Sequence, residues 1–108
     1  MKTLAKRLVW LGVLGPVSAW ADTTVTQSIS QILYNAAADY AWFIGPAAWG
    51  AAGCPTATLI EIPANQPGKD KLYATALAAY AAGKNVQFYG TCSTQVGYFD
   101  VNYIVVSG

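Results

Sequence analysis

Residues 69–92 read KDKLYATALAAYAAGKNVQFYGTC, and this stretch decides the fold. In its first half Leu72, Tyr73, Ala76, Leu77, Ala79 and Tyr80 recur at three- and four-residue steps. That period is helical, and it predicts a helix over 69–82. Pro67 and Gly68 precede it, and Gly83 stands where left-handed backbone commonly ends a helix. Asp70 near the start and Lys84 just past the end suit the helix dipole. The second half changes period. Val86, Phe88 and Gly90 alternate with Gln87, Tyr89 and Thr91, which predicts a strand over 85–92.

Outward from this helix–strand unit the chain reads as strands. Residues 24–34 are β-branched with polar alternation. Residues 40–44 (YAWFI) are a short aromatic strand stopped by Gly45-Pro46, and the small-residue stretch 47–53 carries Trp49. Over 56–62, Thr58, Ile60 and Ile62 alternate with Ala57, Leu59 and Glu61, and Pro63 ends the run. Over 98–106, Phe99, Val101, Tyr103 and Val105 form one face, expected inside. Tyr98, Asp100, Asn102, Ile104 and Val106 form the other. The expectation is a mainly β domain with one helix, in the order β-β-β-α-β-β. Five strands with a helix between the third and fourth is the OB-fold layout, a small, partly open barrel. An α+β open sheet is the alternative.

The whole chain has 108 residues, 55% of them hydrophobic and 10% charged, with a formal charge of +1. Disorder is thereby excluded. Residues 1–21 read as a secretory signal peptide: Lys2, Lys6 and Arg7 in front, a short apolar run, then Ala19-Trp20-Ala21 as the cleavage site. An uncleaved anchor or a buried first helix is the other reading of this segment. The remaining domain, 22–108, keeps Lys69, Lys71 and Lys84 against Asp22, Asp39, Glu61, Asp70 and Asp100, a net charge of −2 without Arg. This argues against nucleic acid and anionic membrane surfaces as partners, and the apolar run is too short for membrane insertion. Cys54 and Cys92, an even pair in an exported chain, imply a disulfide. They would join the start of the third strand to the end of the fourth. A redox pair is the weaker reading, since the spacing is far from C-x-x-C.

The inventory for catalysis is poor. No His is present, which excludes Ser-His-Asp, Cys-His and His-ligated metal chemistry. Gly50 and Gly53 fit no phosphate-binding loop. No cofactor and no metal are expected. Asp39 and Asp100 are the only carboxylate pair worth naming for an enzyme reading, and no local motif supports them. The aromatic residues are more informative. With Trp42, Trp49, seven Tyr and three Phe after residue 21, a small barrel cannot bury them all. Tyr34, Tyr40, Trp42, Trp49, Tyr89, Tyr98, Asp100 and Asn102 form the candidate binding surface, flat rings beside short polar side chains. For Trp49 and Tyr40, closing the barrel ends is the alternative role. The alanine-rich helix has little charge on any side, which permits close packing against another subunit.

The block ALAAYAAGKNVQFYGTC (76–92), with Cys54 at the head of the third strand, resembles the B subunits of bacterial AB-type toxins of the subtilase-cytotoxin and pertussis-like branch. It is equally similar to small exported stand-alone proteins related to them. The resemblance implies a homopentameric ring, a host glycan or protein receptor, and a catalytic A subunit as partner. Only Cys54 and Cys92 carry over, because no sugar-site motif of the family matches here. The expected function is thus an exported, periplasmic or secreted, non-catalytic binding protein that recognises a glycan or protein surface. The alternative is a monomeric periplasmic accessory or inhibitor protein that contacts a protein partner through the Trp49 loop.

Overall fold

A computed structural model describes residues 22–108; the signal-peptide reading of residues 1–21 lies outside the described residues. Alternating burial builds one mixed sheet of seven strands. The elements are β1 (Asp22–Thr23), β2 (Gln27–Ser28), β3 (Gln31–Asn35), β4 (Tyr40–Ile44), β5 (Leu59–Ile62), α1 (Lys69–Ala82), β6 (Asn85–Cys92) and β7 (Tyr98–Ser107). The sheet order is β1-β6-β7-β5-β4-β3, with β2 also paired to β6. Only β5 and β7 run parallel, and α1 lies in the connection between β5 and β6.

The fold is mainly β with one helix, as expected, but the sheet has seven strands rather than five; it is mixed and not a closed barrel. The difference lies in 24–34, which is not one strand. Thr24 is buried; its hydroxyl accepts from Phe88 N at 2.9 Å and its own N–H donates to Phe88 O at 2.9 Å. Val25 N then turns to Trp49 O at 2.8 Å. Gln27 returns to β6 opposite Val86, whereas Gln31 already faces Ile44 of β4. Ser30 anchors that transfer, donating from N to Ile44 O at 2.8 Å and from its hydroxyl to the same oxygen at 3.0 Å. Residues 22–35 thus form three short strands, because the chain there serves two different neighbours.

The inner face collects Phe43, Ile60, Ile62, Val86, Phe88, Phe99 and Val101 from the strands and Ala76 and Ala79 from the helix. Phe43 stacks on Phe88 at 5.6 Å between centroids, and Trp49 meets Phe88 edge-on at 5.2 Å. Burying each such side chain contributes roughly 1.5–3 kcal/mol. The helix ends at Gly83 (φ 68°), where Lys84 N donates to Ala79 O and Gly83 N to Tyr80 O. Its predicted apolar face is only half used: Leu77 and Tyr80 each keep 43% of their surface exposed. The disulfide joins Cys54 to Cys92 with 5.9 Å between Cα atoms. It ties the connection before β5 to the end of β6.

One residue breaks the expected alternation of β7. Tyr89 pairs with Tyr103 but Gly90 pairs with Val101, so Asn102 is an extra residue, a β-bulge. Beyond it the phase shifts. Tyr103, expected inside, is 54% exposed, and Ile104 packs on the core instead. Gly90 permits the bulge: a Cβ there would overlap the Asp100 carbonyl oxygen.

Candidate functional site

Two recesses lie on opposite sides of β3 and β4. The first is at the end of the inner face, beneath the start of α1. The β3–β4 hairpin is shaped by Asn35, whose Oδ1 accepts from Ala37 N at 3.1 Å and Ala38 N at 3.2 Å. Asp39 follows with φ 58°, the only non-glycine residue at positive φ among the described residues. Asp is one of the few side chains that tolerates this backbone. The turn aims its carboxylate at two partners. Tyr34 OH donates to Oδ1 at 2.6 Å, and Lys69 Nζ pairs with Oδ2. Lys69 is the first residue of α1, so the ion pair fastens helix to hairpin. Tyr34 and Tyr73 rings stand 5.6 Å apart, tilted by 46°. Together with Asp70, and over a floor of Ala41 and Ile62, these side chains enclose a cleft of ≈ 260 Å³. Two phenols, two carboxylates and an ammonium around an apolar floor can hydrogen-bond and stack a hydroxylated ring.

The second recess is on the outer face. Leu33, Trp42, Glu61 and Asp100 stand in one register row across β3, β4, β5 and β7. Beside that row, Ile44, Leu59 and Tyr98 complete a groove of ≈ 240 Å³ with Leu33 and Trp42. Tyr40 stacks on Trp42 with 5.8 Å between centroids and 20° between planes. Glu61 and Asp100 are directly opposite each other. Partial burial pushes the Glu61 carboxyl above its ordinary value, and the charge of Asp100 and a hydrogen bond with it add to the rise. Burial also raises Asp100, while its hydrogen bond with Glu61 acts downward. On the far side Asp100 faces Thr91 of β6.

The sequence-predicted surface is therefore divided. Tyr40, Trp42, Tyr98 and Asp100 come together on the outer face. Tyr34 belongs to the inner cleft. Tyr89 stacks on Tyr103 at 4.5 Å beside the bulge residue Asn102, on β6 and β7. Trp49 is removed from the surface: it is fully buried on Phe88, and its backbone bonds Ala57 O and Val25 N. The Trp49 ring itself therefore offers no contact surface, although Ala47, Ala48, Gly50 and Ala52 of its loop stay exposed. Asp39 and Asp100 do not share a recess; Asp100 is paired with Glu61 instead.

Sequence reasoning missed Glu61 as a partner of Asp100, and Tyr73, Asp39 and Lys69 as one cluster. A signal for Glu61 was present, since it alternates with Ile60 and Ile62 and so must face away from the core. Nothing local announces the cleft, which joins residues 30 positions apart. Among the described residues no three His, Cys, Asp or Glu are grouped to hold a metal ion, and no helix is long and apolar enough to cross a membrane. No family model, curated protein or solved structure matches this chain.

Proposed function

We propose that the chain is an exported, non-catalytic binding protein on an OB-like frame, and that its inner cleft recognises a glycan. The observation that carries the reading is the Asp39 constellation. A strained turn residue is held between Tyr34 and Lys69, beside a second ring, Tyr73, in a cleft that takes one sugar-sized group. The OB-like frame is supported by α1 between β5 and β6, by the parallel β5–β7 pair, and by the chain's passage from β6 to β4 through Ser30. Export is supported by the disulfide. The resemblance to toxin B subunits adds a ring oligomer and a catalytic A subunit to the proposal. The exposed Leu77 and Tyr80 on α1 are apolar surface available for subunit packing.

A glycan array followed by titration of the hits tests this. Asp39→Asn and Tyr73→Ala should each weaken binding at least tenfold, on the order of 1.4 kcal/mol or more. An array without signal, using folded protein in its native oligomeric state, removes the glycan reading. Light scattering on residues 22–108 decides the oligomer: a monomer at high micromolar concentration removes the ring.

The second reading is a monomeric periplasmic accessory or inhibitor protein with a protein partner. The apolar outer groove of Leu33, Trp42, Ile44, Leu59 and Tyr98 favours it.

A further inference from the structure

The outer groove carries information about what would fill it. Its floor and walls are apolar, yet the adjoining register row ends in Glu61 and Asp100. Among the described residues the one ion pair is Lys69–Asp39, at the inner cleft. Lys69 and Lys71 lie on α1 and Lys84 just past its end, and no Arg lies in 22–108. The two carboxylates therefore face each other without a cation, beside the indole of Trp42, which is cross-strand partner to Glu61. Two like charges side by side and half-buried are unfavourable on their own. An incoming cation would relieve their repulsion, hydrogen-bond both, and approach an aromatic face.

We infer that the outer groove docks a segment of a partner protein in which a Lys or Arg side chain sits next to a large apolar one. The cation lies over Glu61 and Asp100 against Trp42, and the apolar side chain enters between Leu33, Ile44, Leu59 and Tyr98. This rests on the second reading above and names its partner's chemistry. The assignment follows from charge complementarity. A neutral apolar segment would leave the carboxylates uncompensated at the groove's rim, and an acidic one would add repulsion.

The test uses the folded oxidised protein, isotope-labelled, and three synthetic peptides: Ac-LKLKL-NH2, Ac-LQLQL-NH2 and Ac-LELEL-NH2. NMR follows the Glu61 and Asp100 carboxyl carbons and the Trp42 indole. The lysine peptide should shift all three, and it should bind at least tenfold more tightly than the glutamine peptide. The glutamate peptide should not bind. The double variant Glu61→Gln/Asp100→Asn should lose that tenfold preference while melting no lower than the parent, which separates lost recognition from lost folding. Equal binding of the lysine and glutamine peptides overturns the cation assignment but leaves the groove as a protein site. No binding by any peptide overturns the inference and the protein-partner reading together. Concentration-dependent shifts at Trp42 without peptide would assign the groove to a second copy of this chain and overturn the inference as well.

Discussion

The two tryptophans of the described chain lie seven positions apart and live in opposite settings. Trp42 is in the middle of a regular strand and stays only partly buried on the outer face. Trp49 sits in the irregular connection between β4 and β5 and is fully buried. The strand's period explains Trp42, because Ala41 and Phe43 take the inner positions and force it outward. No period applies to Trp49. It is drawn in by the core, where the edge of its ring meets Phe88 and its backbone ties the connection to Ala57 and Val25. In this small domain a loop completes the core, and a strand supplies part of the proposed binding surface. The sharpest way to break the contrast is to truncate each ring. Trp49→Ala should cost about 3–5 kcal/mol, and Trp42→Ala about 1 kcal/mol, near the middle of the range for point mutants. Urea unfolding curves compare them, and equal losses would abolish the distinction.

The buried loop needs an anchor, and Cys54 provides it. Cys54 N donates to Ala51 O at 3.0 Å, two residues past Trp49, and its disulfide reaches the last residue of β6. Closing a loop across 38 positions is worth about 4 kcal/mol in the chain-entropy picture. The paired Cys54→Ala/Cys92→Ala variant should therefore lose about 2–4 kcal/mol. The indole signal of Trp49 should broaden or move more than that of Trp42 in the same spectrum. A shift confined to Trp42 would show that the bridge holds the wrong region.

How much of this was legible in the sequence follows the same division. Periods of 3.6 and 2 placed α1 and β6 at their observed limits, and they placed Val86, Phe88, Phe99 and Val101 inside. The paired cysteines were legible because only two exist. Periodicity failed where tertiary geometry intervenes. It could not cut 24–34 at Ser30, since the cut comes from the change of neighbour from β6 to β4. It turned Tyr103 inward, because a bulge carries no signal except a glycine on the facing strand. The cleft was illegible for another reason. Tyr34 and Asp39 belong to a hairpin while Lys69 and Tyr73 belong to a helix, and only the packed sheet brings the two together.

Gly90 tests the outer face from the side of the bulge. Gly90→Ala places a methyl against the Asp100 carbonyl oxygen, with the Asn102 N–H also near, and both are backbone atoms that cannot rotate away. The cost should be about 1–3 kcal/mol. The accompanying sign is a disturbed Tyr89–Tyr103 stack, read from ring-proton shifts, because the bulge sets the phase of Tyr103. An undisturbed stack with full stability would show that the bulge is not fixed by this glycine.

The smallest effect concerns the carboxyl pair beside Trp42. Glu61 and Asp100 both lie above their ordinary values of 4.5 and 3.8, with burial as the leading cause for each. The folded protein thus holds these protons more tightly than the unfolded chain does. Where the folded state binds more protons, stability falls as pH rises. The pair's favourable contribution is complete below the ordinary values and is lost as pH climbs through the raised ones. Thr91 of β6 and Trp42 of β4, the residues facing the pair from the adjoining strands, do not titrate in this window. Melting temperature followed from about pH 4 to 7 should decline in this part of the profile. Glu61→Gln removes one of the two charges, so the difference between parent and variant should grow in the variant's favour as pH rises. The same profile run on Trp49→Phe should keep the parent's slope, because the buried tryptophan has no carboxylate against it. A parent that grows more stable relative to Glu61→Gln with rising pH would mean that the pair already has a compensating cation. The outer face would then differ from the inner one only in exposure, and not in charge.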